Sequence, residues 1–446
     1  MTWRDPARRP GDPSGVKQMR GLFISNVVPW PLAAGDKIRA YHLVRAAAKV
    51  MDLTLVCFAY DEGEQRDLDA VAPLVRESFL VPRETCRYRT AAQLPRARRI
   101  LAGLRGYLHP TRPVLFDAWE SKEAQQLVQR LACRRFDVAF VEWLGGMPLL
   151  GSLENARRFV NLNDVLYRRL KYRLTRTRPD RLTPLEGLEY LKLRRLERRL
   201  ARLPYEFLVC SEPDRQAIGG GPRVWVVPNG VESLPALPAP TDASNECLLL
   251  FIGEMSYAPN VDAVTFFARR VFPTIRRANP LARFMVVGRN PVDVVRALDD
   301  GSAITVTGAV SSVQPYLEKA SVVVIPIRYG GGTRLKILEA MGHGRAVVST
   351  SVGVEGIDAR PEEHLLIADG PDSFAQACLR LTRDSRLRAR LTAAAYRLVR
   401  TRYEWDSIER RVQEIILGDH AEPPGAEQNG ARREHGLAAK TMRDIG

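Results

Sequence analysis

Short apolar runs alternate with segments of helical periodicity along most of the chain. Between two of these runs, the periodicity predicts a helix over Lys37–Val50. The apolar runs of the N-terminal half predict strands at Leu22–Ser25, Leu53–Ala59, Phe136–Trp143, Phe159–Leu162, Phe207–Cys210 and Val224–Val227. Alternation of strand and helix is typical of an α/β fold with a parallel, doubly wound sheet.

The C-terminal half repeats the alternation after a proline-rich segment. Three prolines within Ser233–Ser244 stiffen the chain and preclude a packed helix, so this segment predicts a linker. Further strands are predicted at Cys247–Gly253, Arg283–Gly288, Ala303–Gly308, Ser321–Pro326, Ala346–Thr350 and Leu365–Ala368. The expected divisions are a disordered tail (1–19), an N-terminal domain (20–232), a linker (233–245), a C-terminal domain (246–402), a helix returning to the N-terminal domain (403–418) and a second disordered tail (419–446).

Composition identifies a globular protein with a local excess of positive charge. Of the 446 residues, 45% are hydrophobic and 26% are charged, as in ordinary soluble domains. Lys and Arg number 67 against 51 Asp and Glu, which gives a formal net charge of +16. Two segments carry this excess: 83–112 holds 8 Arg and 1 Glu, and 157–203 holds 15 Lys or Arg and 5 Asp or Glu. The positive charge is therefore a property of the N-terminal half.

The basic segments admit more than one kind of surface. In Pro184–Leu203 the leucines fall near one helical face and the arginines elsewhere, which fits either a core-packing helix or an interfacial helix on anionic lipid. Thr90–Tyr107 has the same character. Nucleic acid is disfavoured as a partner, because aromatic residues make up 7% of the chain and neither segment contains a recognised nucleic-acid motif.

Cysteine usage and the N-terminus favour a reduced, cytoplasmic protein. The six cysteines and the histidines show no metal-ligand spacing, so no metal site is expected. The first 18 residues lack the apolar stretch of a signal peptide, and no run approaches the ~20 apolar residues of a spanning helix.

The residues with the clearest chemistry lie within Pro326–Arg345. A strand is predicted to end where this segment starts, three glycines (330–332) follow, and a helix is predicted to begin around Thr333. Glycines let the backbone approach an anion, and the N–H groups at a helix start favour phosphate. Thr333 is a candidate N-cap, whereas Arg334 and Lys336 lie in a first turn that disfavours cations unless an anion is present. A flexible loop with solvated basic residues is the alternative.

The segment Glu339–Val348, preceded by the glycine loop, resembles the signature of retaining glycosyltransferases of family 4, which have the GT-B fold. Other motifs occur in this family's order: Pro228–Val231, Phe251–Met255, Phe284–Gly288, Val306–Gly308 and Thr350–Gly353. The resemblance covers about 20–417 and is strongest over 224–405. It implies two Rossmann-like domains facing a cleft, with the acceptor bound by the N-terminal domain and the nucleotide sugar by the C-terminal domain.

The family's donor-binding residues carry over only in part. Its Glu-x7-Glu pair uses the second Glu to bind the donor ribose, and this role falls to Glu339. The first Glu, which touches the transferred sugar, is replaced by Gly331. The resemblance therefore implies that backbone N–H groups of Gly331, Gly332 and Thr333 serve instead.

The family also places an Arg and a Lys after the first strand of the C-terminal domain to hold the diphosphate. The segment Gly253–Asn260 contains neither, so the diphosphate is assigned to Arg334 and Lys336 as the catalytic residues. Gly253 and Asn229, which belong to two of the matching motifs, are further substrate-binding candidates.

Two loops of the N-terminal domain complete the candidate site. Gly35 lies after the first strand, in a loop that either approaches the substrates or is a plain βα turn. Asp164 ends a strand where related enzymes often carry a His near the reacting sugar. The resemblance implies a front-face mechanism in which a donor phosphate oxygen takes the acceptor proton, so neither a protein nucleophile nor a metal is required.

The sequence thus predicts a retaining, metal-independent glycosyltransferase that acts in exopolysaccharide synthesis. Its expected partners are a nucleotide-diphosphate sugar as donor substrate, with no other cofactor, and a lipid-linked or glycan acceptor. An anionic membrane surface is a further candidate partner, through 83–112 and 157–203 at the inner face of the cell membrane. A nucleotide-sugar epimerase of the same fold and a non-catalytic, membrane-associated nucleotide-sugar-binding subunit are the alternatives.

Overall fold

The computed structural model contains two α/β units with a cleft between them. It describes residues 19–32, 34–59, 63–83, 106–176, 183–232, 237, 247–330 and 333–418. Almost all of both expected tails and of the expected linker lies outside the described residues.

The N-terminal unit is built on a parallel sheet in the order β3-β2-β1-β4-β5-β6-β7. Its strands are β1 Arg20–Ser25, β2 Asp52–Ala59, β3 Glu77–Pro82, β4 Val138–Val141, β5 Arg157–Leu162, β6 Glu206–Val209 and β7 Val224–Val226. The chain changes direction across the sheet between β1 and β4. In open α/β sheets, ligands bind beside the carboxyl ends of the strands at such a point.

The C-terminal unit is built on a second parallel sheet in the order β10-β9-β8-β11-β12-β13. Its strands are β8 Leu248–Ile252, β9 Arg283–Val287, β10 Ile304–Val306, β11 Val322–Ile325, β12 Ala346–Ser349 and β13 Leu366–Ile367. All four residues of β11 and of β12 are buried. Burial on both faces of a parallel sheet explains why these strands read as uninterrupted apolar runs.

Helices connect the strands of both sheets. They are α1 Gly35–Ala48, α2 Glu64–Val71, α3 Val114–Trp119, α4 Lys122–Ala132, α5 Leu166–Arg176, α6 Thr183–Glu197, α7 Glu212–Ala217, α8 Ala258–Phe266, α9 Phe272–Ala278, α10 Asp293–Arg296, α11 Gln314–Lys319, α12 Leu335–Gly342, α13 Ser351–Val354, α14 Pro371–Arg383, α15 Ser385–Arg402 and α16 Trp405–Leu417. Within the described residues, no helix combines the length and the apolar character needed to cross a bilayer.

The last helix, α16, packs on α1 of the N-terminal unit. Trp405 stacks on the His42 ring with 4.0 Å between ring centroids, and the Glu409 carboxylate lies 2.8 Å from His42 Nδ1. At the start of α16, the backbone N–H of Trp405 donates to Val231 O, and the N–H of Val231 donates to Tyr403 O. The two connections between the units are therefore hydrogen-bonded to each other.

The predicted element bounds differ from the observed ones mainly at the ends. The helix predicted at Lys37–Val50 runs from Gly35 to Ala48, and the long strand predicted at Phe136–Trp143 shortens to β4. Strand β3 was not predicted, because only Val81 among its residues is fully buried, which leaves a weak apolar pattern at the edge of the sheet.

Candidate active site

The loop between β11 and α12 enters the cleft. Arg334, at the N-cap position of α12, has a non-helical backbone (φ −83°, ψ 82°). The predicted capping role of Thr333 is wrong, because the helix begins at Leu335 and places Thr333 one residue before the N-cap. The Thr333 Oγ1 atom is buried and has no hydrogen-bond partner in the described part of the chain. Gly331 and Gly332 lie outside the described residues.

Lys336, in the first turn of α12, reaches back to the loop after β8. Its ammonium donates to Asn260 Oδ1 at 2.9 Å and lies 4.3 Å from the centre of the Phe251 ring. A Cβ atom on Gly253 would come within 2.7 Å of the Lys336 nitrogen. Burial, reinforced by the charge of Arg334, lowers the pKa of Lys336 from 10.5 to about 7. The structure thus brings a cation to the loop where the family resemblance expects the diphosphate.

Arg334 and Glu339 lie on the same loop-and-helix segment as Lys336. Burial lowers the pKa of the Arg334 guanidinium, while the charges of Tyr257 and Asp164 oppose this effect. Burial also raises the pKa of Glu339, against the charge of Lys336. Two cations and one carboxylate are therefore held, partly desolvated, at the start of one helix. Such a site is unfavourable for the free protein and becomes favourable when an anion binds.

A polar pocket lies in the cleft beside Arg334. It is lined by Asp164, Arg168, Tyr172, Ser211 and Asp214 of the N-terminal unit and by Thr333, Glu355 and Gly356 of the C-terminal unit. Arg168 donates to Asp214 at 2.8 Å and also to Glu355, so one side chain bridges the two units. Burial raises the pKa of Asp164 to about 6. The pocket therefore offers mainly hydroxyl and carboxylate oxygens to a ligand.

Two other candidates lie at the carboxyl edge of the N-terminal sheet. Gly35 begins α1, and a Cβ atom built on it would lie 3.8 Å from Leu335, so the starts of α1 and α12 meet across the cleft. Asn229 is partly exposed, and its Oδ1 accepts from the buried guanidinium of Arg39 at 3.0 Å. Arg39 also donates to Asn161 at 2.7 Å and thereby ties the loop after β7 to β5.

Glu142, which was not predicted from the sequence, is a buried acid at the point where the strand order reverses. It directly follows β4 and accepts from Ser25 Oγ, at the end of β1, at 2.5 Å. Its other oxygen is buried without a partner among the described residues. Burial raises the pKa of Glu142 to about 8, against the hydrogen bond from Ser25 and the charge of Arg39. The available signal was an acidic residue ending an otherwise apolar strand.

Within the described residues, no three His, Cys, Asp or Glu side chains are grouped as metal ligands. The described cysteines are Cys57, Cys133, Cys210, Cys247 and Cys378, and all are free thiols.

Comparison with solved structures defines the fold. HepE of Anabaena, in complex with UDP-glucose, shares 14% sequence identity and superposes with a TM-score of 0.57 over 90% of this chain and 100% of its own. TarM of S. aureus, in a complex that includes UDP, shares 12% identity with a TM-score of 0.59 over the same shares of the two chains. At these identities the likeness defines the fold, which is the two-domain GT-B fold. The fold class predicted from the sequence is confirmed.

Sequence comparison places the C-terminal unit among known sequences. Residues 246–384 match the family model described as glycosyl transferases group 1. An uncharacterised 44.6 kDa protein in the cps region of Klebsiella pneumoniae is 25% identical over 168 residues. That match spans 36% of this chain and 43% of the relative. The family resemblance inferred from the motifs is thereby confirmed.

Proposed function

We propose that this protein transfers a sugar, with retention and without a metal, from a nucleoside-diphosphate sugar to a lipid-linked or glycan acceptor in exopolysaccharide synthesis. The observation that carries the proposal is the pairing of Arg334 and Lys336 at the start of α12, in a cleft between two Rossmann-like units. Both cations are desolvated, and Glu339 lies one turn further along the helix.

The two cations suit the charge that develops on a leaving diphosphate. Preorganised charges in a desolvated site stabilise such a transition state more than they would in water. Arg334 and Lys336 supply two positive charges there, which is the basis for proposing a metal-independent reaction. Glu339 accepts hydrogen bonds from the ribose hydroxyls, and the acceptor proton passes to a donor phosphate oxygen on the same face of the sugar.

The polar pocket beside Arg334 suits the transferred sugar. The Thr333 Oγ1 hydroxyl has no hydrogen-bond partner among the described residues. The Asp164 side chain is 18% exposed, and its carboxylate lies 3.7 Å from the Arg169 guanidinium. Carboxylate and hydroxyl oxygens accept hydrogen bonds from sugar hydroxyls. These two residues thus offer contacts that Gly331, in place of the family's Glu, does not supply.

The known proteins support the donor class and the pathway. The structure of HepE contains UDP-glucose, and that of TarM contains UDP. The Klebsiella relative is encoded in a cps region. The bound nucleotides support a nucleotide-sugar donor, and the cps region supports polysaccharide synthesis as the context of the reaction.

We further propose that α6 and the turn after it contact an anionic membrane surface. Leucines 193 and 196 are buried, whereas Leu191 is 58% exposed and Arg194, Arg195, Arg198, Arg199 and Arg202 are all exposed. The helix thus has one face that packs on the core and one face of arginines. It therefore combines the core-packing helix and the interfacial helix that its sequence left as alternatives. An exposed leucine among arginines fits the headgroup region of anionic lipid.

Binding to vesicles tests the membrane proposal. The full chain should sediment with vesicles that contain phosphatidylglycerol, not with neutral phosphatidylcholine vesicles, and salt should weaken this binding. Replacing Arg194 and Arg195 by Ser should lower it by roughly thirtyfold, at about 1 kcal/mol per basic residue. Replacing the exposed pair Arg269 and Arg270 of the C-terminal unit should leave it unchanged. Equal binding to both lipids, or equal loss in both variants, would contradict the proposal.

A thermal-shift panel tests the donor proposal. UDP-, GDP-, ADP- and dTDP-sugars should be compared, since a ligand at 100 times its dissociation constant adds roughly 2.7 kcal/mol to the free energy of unfolding. We expect at least one donor to raise the melting temperature of the wild type. Glu339→Ala should lose most of this rise, whereas Glu318→Ala, an exposed acid in α11, should keep it. Product analysis by NMR separates transfer from epimerisation, because an epimerase converts the donor without an acceptor.

A further inference from the structure

Asn260 holds the Lys336 ammonium in a fixed hydrogen-bond network. Its side chain is only 6% exposed, and it lies in the first turn of α8. The Asn260 Nδ2 group donates to the backbone oxygen of Glu254 at 2.9 Å, and Oδ1 accepts from Lys336 Nζ at 2.9 Å. Because a backbone carbonyl can only accept, the amide nitrogen must face Glu254, which leaves the oxygen for Lys336.

Close packing around Gly253 keeps this network in place. A Cβ atom at Gly253 would lie 2.7 Å from Asn260 Nδ2 and 2.7 Å from Lys336 Nζ. Any larger residue would push the amide and the ammonium apart. On the other side, the face of the Phe251 ring lies against the ammonium. Two neutral groups therefore surround the cation, an amide oxygen and an aromatic face.

The neutrality of these partners matters for binding an anion. A carboxylate at position 260 would form an ion pair with Lys336, and an incoming diphosphate would have to displace it. An amide orients the ammonium through one hydrogen bond and leaves its charge uncompensated. Among the described residues, two charged groups act on the pKa of Lys336 besides its burial: the Arg334 guanidinium lowers it, and the Glu339 carboxylate raises it by a smaller amount.

We propose that Asn260 is a positioning residue that fixes the Lys336 ammonium for the donor diphosphate without neutralising it. The inference rests on the proposed function, since it assigns the diphosphate to Lys336. Gly253 then contributes by its lack of a side chain, which accounts for its place in the motif Phe251–Met255.

Two substitutions at Asn260 should move the titration of Lys336 in opposite directions. Asn260→Asp places an anion beside the ammonium and should raise the Lys336 midpoint by at least one pH unit. Asn260→Ala removes a hydrogen bond that favours the charged form and should lower it. The chain has nine lysines, so selective 13Cε-lysine NMR of the ligand-free protein can follow Lys336, assigned with Lys336→Met. Asn279→Asp, in the same unit and outside this network, is the matched control and should leave the midpoint unchanged.

Affinity for nucleoside diphosphates supplies the second readout. Dissociation constants for UDP, GDP, ADP and dTDP should be measured from pH 6 to pH 9. For the nucleoside diphosphate that binds the wild type, we expect Asn260→Asp to weaken binding about tenfold at pH 6. We also expect it to move the loss of affinity, which the wild type shows above pH 7, to higher pH by at least one unit. A purely structural role would weaken binding equally at every pH.

The outcomes separate this inference from the proposed function. If both Asn260 variants keep the wild-type midpoint of Lys336, the positioning role is wrong whatever the protein binds. If the midpoints move as expected but no nucleoside diphosphate binds the wild type, the donor proposal fails, and with it the reason given for the neutral partner.

Discussion

Replacing Lys336 by Met should move stability and donor affinity in opposite directions. Lys336 is partly buried, and its pKa of about 7 lies well below the ordinary 10.5. That difference corresponds to about 5 kcal/mol of penalty for the protonated side chain in the folded state. Because part of the side chain remains open to the cleft, this figure is an upper limit.

The sign of the pH dependence follows from proton counting. Between pH 7 and pH 10.5 the folded protein binds fewer protons at Lys336 than the unfolded chain, so wild-type stability rises with pH across that window. Methionine is neutral at every pH and removes this dependence. It also leaves Asn260 Oδ1 without its donor, at a cost of about 1–3 kcal/mol. The net gain for Lys336→Met at pH 6 is therefore on the order of 2 kcal/mol, and it should vanish near pH 9.

Melting curves check the predicted gain in stability, and ligand titrations check the predicted loss of donor affinity. For a domain of this size, about 2 kcal/mol corresponds to a rise in melting temperature of roughly 4–8 °C. Ligand-free Lys336→Met should show this rise at pH 6 but not at pH 9, and its affinity for the donor should be lower than that of the wild type. Lys319→Met, which replaces an exposed lysine in α11, should show neither effect. A lower melting temperature for Lys336→Met at pH 6 would refute the reasoning.

Three further predictions concern stability at Glu142 and Gly230 and donor binding at Glu339. Glu142→Gln removes a buried acid whose pKa is raised from 4.5 to about 8. As the pH rises from 4.5 to 8, the free energy of unfolding of the wild type should therefore fall by up to about 5 kcal/mol relative to this variant, as measured by urea unfolding. Gly230→Ala should destabilise by about 1–3 kcal/mol in thermal melts, because the added Cβ atom would lie 2.8 Å from carbons of Trp405 and Ile408, whereas Gly187→Ala, with open space around it, should not. Glu339→Gln should bind the donor more weakly in calorimetric titrations yet keep more affinity than Glu339→Ala, since the amide still offers one acceptor oxygen.

Much of the fold could be predicted from the sequence because buried parallel strands are short, apolar and bounded by Gly or Pro. The strand ending at Ile325 and the helix containing Lys336 follow from that pattern alone. The exception is β3, which lies at the sheet edge and buries too little surface to leave a clear apolar pattern. The start of α12 was predicted around Thr333, two residues before its observed start at Leu335.

The candidate site could be predicted only where its residues share one local segment. Arg334, Lys336 and Glu339 lie within six positions, so their spacing and the helix start brought them together. Asn260 contacts Lys336 across 76 positions, and no local pattern encodes that contact. Glu142 was missed for a related reason: its burial depends on β1 and β4 being neighbours, which is a tertiary property.

The most direct test of the account is calorimetric titration of the nucleotide-sugar panel into the wild type and Arg334→Met. The central claim is that the start of α12 binds a nucleoside-diphosphate sugar through Arg334 and Lys336. We expect at least one donor to bind the wild type and to lose at least tenfold in affinity in Arg334→Met, since a hydrogen bond to a charged group contributes about 1.5–3 kcal/mol. Failure of every donor to bind, or equal binding to both proteins, would contradict the claim.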